Sequence, residues 1–188
     1  MPQLANEHWR AVSFNHPVLA FLRAERHRWP QIMGINPDLV LKPNLNDNTE
    51  NRLRQTILLR VRGGLLQSLP QDTRWFEVQF LRHAHLDELR VIGNCGWDRV
   101  DDNNELSKVG ARKPQEMTSA AASWEPPILW GHSQAGPFTI LEGNKRLTSY
   151  VSSSGSGLQI ACYVGLSPSP CVWHLSDRVP AAVLTTQI

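Results

Sequence analysis

Cysteine is scarce: Cys95, Cys162 and Cys171 are the only three in 188 residues. Thiols so few and so scattered do not make the framework of a small disulfide-stabilised domain, and a reducing, cytoplasmic setting is expected. Long apolar runs are also missing, with nothing near the roughly 18–20 residues a bilayer-spanning helix needs. The stretch from Met1 to His8 has neither the basic nor the apolar part of a secretory leader. Charge of one sign is absent too. The net charge is +2, which excludes the strongly basic balance of a dedicated nucleic-acid coat protein.

What remains is an ordinary soluble composition, 41% hydrophobic and 19% charged, long enough for one well-cored domain. The expectation is a single mixed α/β domain over 1–188, mainly helical over 1–72, with a sheet-containing core over 73–188. There is no internal repeat. The only low-complexity piece, Ser152 to Gly157, is too short to separate domains. Residues 1–93 carry a net +3 and residues 94–188 a net −1. Arg23, Arg26, Arg28, Arg52, Arg54, Arg60 and Arg62 lie close in sequence, and are either a phosphate-neutralising face or a solvated helix surface.

Along the chain, residues 18–29 predict a short helix stopped by Pro30, followed by an irregular segment over 30–46. Asp47 is placed to cap a second helix, with Glu50 as its capping-box partner. Leu53, Ile57, Val61 and Leu65 recur along it at four-residue spacing, as an apolar stripe. Gly63-Gly64 either ends or bends that helix. Residues 75–81 predict a strand, residues 86–92 either a helix or a strand, and residues 104–122 one further helix. Strands over 128–130, 138–141 and 158–164 complete the expectation, with a helix over 145–151. Trp75 and Trp130 are expected in the core, as are Cys162 and Cys171.

The turn Glu142-Gly143-Asn144-Lys145-Arg146 carries the most chemistry. A strand that passes through Gly-Asn directly into a helix presents unpaired backbone N–H groups there. Lys145 and Arg146 in the first turn oppose the helix dipole, which calls for an anion, and phosphate is the natural candidate. Arg146 can fork two oxygens while Lys145 supplies a point charge. Glu142 can orient Lys145, hold magnesium through water, or act as a base. The alternative is that both basic side chains simply point into solvent.

The run from Pro127-Ile128-Leu129-Trp130 through Phe138-Thr139-Ile140-Leu141 to Glu142-Gly143-Asn144-Lys145-Arg146-Leu147-Thr148-Ser149-Tyr150 resembles the core signature of the ParB/sulfiredoxin superfamily. That signature is a strand–loop–strand ending in a Gly-x-x-Arg turn. The resemblance implies a small mixed sheet with flanking helices and a nucleotide cradled by the turn. It covers about 25 residues and speaks to fold more than to activity. The length of the chain and the segment from Leu158 to Ser176 look like the plasmid-encoded oncogenic-suppression, or Osa-type, fertility-inhibition group. That likeness implies ATP with Mg²⁺ as cofactors and both ATPase and deoxyribonuclease activity. It also implies DNA held by its backbone and interference with DNA transfer by a type IV secretion system. The implied partners are a secretion coupling protein or a relaxase, peripheral to the inner membrane.

Departures from the better-known relatives narrow this. A sulfiredoxin carries its nucleophilic cysteine where this chain has Asn144. A partition protein needs a helix-turn-helix and a dimerisation tail, for which the thirty or so residues after Leu158 are too few. The turn also lacks G-x-x-x-x-G-K-[ST], so any ATP site here is not a P-loop. His83 and His85 lack a third ligand at motif spacing. Asp98, Asp101 and Asp102 read as a solvated loop or a cation site, and Trp97 or Trp124 as a surface for base stacking. The Gly131–Gly136 loop, with His132 and Ser133, closes over a nucleotide or is an ordinary hairpin. Two rival readings stand beside the enzyme: a non-catalytic binding module and a small-molecule kinase.

Overall fold

The computed structural model describes residues 9–26, 36–81, 89–91, 125–144, 146–147 and 159–171. They form a mixed α/β unit whose six strands are β1 (Arg10–Val12), β2 (Arg74–Leu81), β3 (Leu89–Val91), β4 (Ile128–Gly131), β5 (Phe138–Glu142) and β6 (Gln159–Leu166). The helices are α1 (Asn15–Ala24), α2 (Asp38–Leu41) and α3 (Asn48–Ser68). The sheet order is β1-β2-β6-β4-β5-β3. Strands β1, β2 and β6 pair antiparallel in turn, β6 and β4 parallel, β4 and β5 antiparallel, and β5 and β3 parallel. Residues 86–92 therefore contribute a strand through Leu89–Val91. Helices α1, α2 and α3 all lie ahead of β2, in the same part of the chain as β1, which joins the sheet.

Each face of the sheet carries its own core, as the two-residue side-chain period dictates. Val78, Leu129, Phe138, Ile140, Cys162 and Val164 lie on one side, with Leu147 packed among them. Trp75, Ile128, Trp130 and Leu141 lie on the other, against Val18, Leu19, Phe21 and Leu22 of α1 and Leu58 of α3. Gly165 sits in register between Trp75 of β2 and Trp130 of β4. A Cβ at that position would come within 2.9 Å of the Trp75 ring and 3.0 Å of the Trp130 ring. The missing side chain is what lets two indoles share one row. Both tryptophans and both described cysteines are buried, as expected.

Helix α1 begins at Asn15 and ends at Ala24, three residues earlier at its start than expected and well short of Pro30. Its buried run is Pro17 to Leu22, and Pro17 costs little in the first turn, where an N–H has no intrahelical acceptor. The segment expected to be irregular contains α2, which is led in by Pro37 while the Asn36 side chain accepts from the Asp38 N–H at 3.0 Å.

Asp47 does cap α3, accepting from the Thr49 and Glu50 N–H groups at 2.8 and 3.1 Å. Its partner does not close the box. Glu50 instead accepts from the Asn44 N–H at 3.0 Å and from Arg54 at 2.9 Å. The apolar stripe coincides with the inner face only in part, where Ile57 packs against the core. Leu53 is 48% exposed, whereas Asn51, Arg54 and Leu58 face inward. Four-residue spacing drifts off a 3.6-residue helix, and a buried arginine hides the true inner face from a hydrophobicity count. Near Gly63-Gly64 the helix bends at Arg62 and does not end. The helix expected over 104–122 lies outside the described residues.

The arginine cluster is not one phosphate face. Arg54 is fully buried. Arg23 donates to the Val40 carbonyl at 3.0 Å and lies 3.9 Å from a Glu125 carboxylate oxygen. Arg62 pairs with Glu25 at 3.4 Å and sits over the Phe21 ring. Arg26, Arg52 and Arg60 are exposed, and Arg28 lies outside the described residues.

Candidate functional site

Strand β5 ends at Glu142, and the chain turns through Gly143 with φ +101°, a conformation that favours glycine. The turn is packed from below. A Cβ on Gly143 would approach the Pro127 side chain to 2.9 Å and the Arg146 guanidinium to 3.3 Å. Helical bonding starts at once, with the Leu147 N–H donating to the Gly143 carbonyl at 2.9 Å. Leu147 is fully buried in the core of the first sheet face, which anchors the start of the helix. Lys145 and residues 148–151 lie outside the described residues.

Arg146 curls back beneath the turn. It donates to a Glu142 carboxylate oxygen at 2.8 Å and also to the Glu125 carbonyl. The two side chains of the ion pair are only 13% and 20% exposed. The anion that the local electrostatics demand is therefore supplied, for Arg146, by Glu142 from the same turn. Glu142 is oriented toward Arg146, four residues on. Asn144 is half-buried at the first helical position.

A row of residues unnoticed in the sequence runs up to this corner. Following the strand pairing, Arg10 stands opposite Glu77, Glu77 opposite Tyr163, Tyr163 opposite Ile128, and Ile128 opposite Glu142. Arg10 and Glu77 form an ion pair across β1 and β2. Burial first, and the Glu77 carboxylate second, hold the Tyr163 phenol above its usual range, so it stays protonated and available as a donor. The His16 ring lies 6.2 Å from that of Tyr163. Only strand register brings these residues together, and no sequence spacing announces it.

The β4–β5 hairpin is fastened at its far end. His132 Nδ1 lies 3.0 Å from the Ser167 carbonyl, which can only accept, so Nδ1 carries the hydrogen. The Ser167 and Ser169 hydroxyls donate to the two oxygens of Asp72 at 2.5 and 2.9 Å. These bonds lower the Asp72 pKa from 3.8, the Ser167 bond most. A lowered folded pKa stabilises the fold above the unfolded value and ceases to do so as the pH falls through the folded one. Asp72→Ala is expected to melt a few degrees below the parent chain at pH 6, with the gap closing below pH 3.8. Thermal scans across that range check this; a gap that persists unchanged in acid would show that the serine bonds do not depend on the carboxylate charge.

No family model, curated protein or solved structure matches this chain. No group of three or more His, Cys, Asp or Glu side chains that could hold a metal is found among the described residues. Nor is any described helix long and apolar enough to cross a membrane. His83, His85, Trp97, Asp98, Asp101, Asp102, Trp124 and Ser152 to Gly157 all lie outside the described residues.

Proposed function

We propose that this chain has a ParB/sulfiredoxin-like fold and acts as a plasmid fertility-inhibition factor. In this reading it uses Mg²⁺-dependent ATPase and deoxyribonuclease activity to block DNA transfer through a type IV secretion system. The observation that carries the proposal is the corner after β5. A Gly143 turn and a following helix place a half-buried guanidinium and a carboxylate side by side.

These residues fit a magnesium–nucleotide group in their chemistry. Mg²⁺ is commonly held by one or two carboxylates together with substrate phosphates, and Glu142 provides one. Bound there, the ion would neutralise phosphate charge and help generate a nucleophilic water. Arg146, and Lys145 beside it in sequence, would hold phosphate oxygens, and Glu142 could take a proton from the attacking water. Arginine suits this role because its planar fork matches two phosphate oxygens.

One observation favours a second reading, a binding module without turnover that occupies a coupling protein or relaxase complex. Arg146 is already paired with Glu142 and bonded to the Glu125 carbonyl, so a phosphate must compete for it. Mg²⁺-dependent ATP hydrolysis by the purified chain, beside Lys145→Ala and Arg146→Ala, separates the two. The enzyme reading expects turnover in the parent chain and a loss of about 10²–10³-fold in each variant, the usual cost of one transition-state donor. No hydrolysis and no ATP binding by the parent chain would overturn it.

A further inference from the structure

Helix α3 is cationic in an uneven way. Its 21 residues hold Arg52, Arg54, Arg60 and Arg62 against a single carboxylate, Glu50. The inner face takes up half of that charge. Arg54 is fully buried on Glu50, Asn51 and two carbonyls, and Arg62 pairs with Glu25. Glu50 is spent on Arg54 and the Asn44 N–H. The outer face is left with Thr49, Arg52, Thr56 and Arg60, all exposed. Their spacing of three, four and four residues puts them on one stripe. No acidic side chain of the helix interrupts it, and no ion pair to Arg52 or Arg60 occurs among the described residues.

We infer that this stripe is a docking surface for the phosphodiester backbone of nucleic acid. It rests on the DNA partner of the reading above and gives that partner a place. Three of its polar side chains can donate: two guanidiniums, which can fork phosphate oxygens, and the Thr49 hydroxyl, while the Thr56 hydroxyl already donates to the Arg52 carbonyl at 2.9 Å. Arg52 and Arg60 stand eight residues apart, about 12 Å along the helix axis, so they reach two separate phosphates. The distribution of apolar surface argues against a protein partner. A protein interface concentrates its apolar contacts at the centre and its charges at the rim. Here the order is reversed. Leu53 and Leu59, 48% and 43% exposed, flank the stripe, while arginine and threonine hold its middle. Backbone docking of this kind positions a strand without reading its sequence.

Fluorescence anisotropy of a labelled mixed-sequence DNA duplex, measured between about 50 and 200 mM salt, tests the surface. Neutralising two phosphates contributes about 0.9 each to the slope of log affinity against log salt. The double variant Arg52→Ala/Arg60→Ala is therefore expected to flatten the slope by about 1.8 relative to the parent chain. Arg52→Lys/Arg60→Lys is expected to keep the parent slope. Arg74→Ala, an exposed arginine at the start of β2, is a control expected to leave it unchanged. Both α3 positions are solvent-facing, and matching thermal melts exclude misfolding as the cause.

A parent slope retained in the double alanine variant overturns the assignment of the surface while leaving DNA binding intact. An equal flattening in Arg74→Ala also overturns it, since the effect would then be general charge. Competition by polyglutamate as strong as that by unlabelled duplex would reassign the stripe to an acidic protein. If the parent chain binds no duplex at low salt, the DNA part of the proposed function fails as well.

Discussion

Replacing Arg54 with methionine is expected to cost about 3 kcal/mol of stability, because it strands several acceptors at about 1–3 kcal/mol each where water cannot replace the donor. The guanidinium is fully buried and makes four bonds. Nη1 donates to the Leu39 carbonyl at 2.8 Å and to Glu50 at 2.9 Å. Nη2 donates to the Asn44 carbonyl at 2.9 Å and to the Asn51 side chain at 2.6 Å. Methionine fills much of the same space but leaves two carbonyls and the Asn51 oxygen without their donor. Those acceptors belong to α2, to the loop before α3 and to α3 itself, so one side chain ties three stretches of backbone together. Lysine is expected to rescue little, because a compact ammonium cannot reproduce the planar fork. Urea unfolding monitored by tryptophan fluorescence measures the effect as a drop in midpoint at unchanged slope. An unfolding free energy within about 1 kcal/mol of the parent would show that water or a shifted loop replaces these bonds.

Glu142→Gln is expected to tighten binding of free triphosphate about tenfold and to remove ATP turnover. The reasoning starts from the competition at Arg146. In the folded chain the guanidinium holds a carboxylate 2.8 Å away in a largely buried setting. A phosphate that takes Arg146 must give up that charge-assisted bond and tolerate the carboxylate beside it. Glutamine keeps the shape and one acceptor but removes the charge. A charge-assisted bond exceeds a neutral one by about 1–1.5 kcal/mol, which corresponds to the tenfold figure. Calorimetry with tripolyphosphate in chelator reads the affinity without involving magnesium, and a phosphate-release assay with Mg²⁺ reads turnover. Tighter binding joined to lost turnover supports the enzyme. Tighter binding with no turnover in either protein supports the binding module. Unchanged affinity would mean that triphosphate does not use Arg146.

Much of the sheet was legible because its strands announce themselves locally. Trp75 to Leu81, Ile128 to Trp130, Phe138 to Leu141 and Leu158 to Val164 are short β-rich runs, the last three with proline or glycine at or next to their ends. The three-residue β1 was not, since Arg10-Ala11-Val12 has no pattern of its own and is a strand only because β2 offers it an edge. Helix α3 was legible as a helix and at its cap, but its inner face only in part. An arginine with zero exposure contradicts every compositional expectation, and the contacts that make it tolerable come from residues up to 15 positions away. At the candidate site, the Gly143 turn could be read from the sequence. The closure of Arg146 onto Glu142 could not, because a pair four residues apart can equally point to solvent or to each other. The row from Arg10 to Glu142 is a product of tertiary register alone.

The place of β6 has a consequence for how this chain is made. It lies between β2 and β4, pairing with β2 over its whole length and with β4 from Tyr163 to Leu166. Until residues 159–166 have left the ribosome, β2 and β4 cannot join one sheet, and each presents a bare edge whose partner does not yet exist. Trp75 and Trp130 must wait for the glycine that separates them. Apart from the β4–β5 hairpin, the described strand pairings are all long-range, which makes for slow folding and for sticky intermediates. Most of the polypeptide is therefore synthesised before its sheet can assemble, and a nascent chain halted ahead of β6 would leave two open edges that invite pairing with other chains.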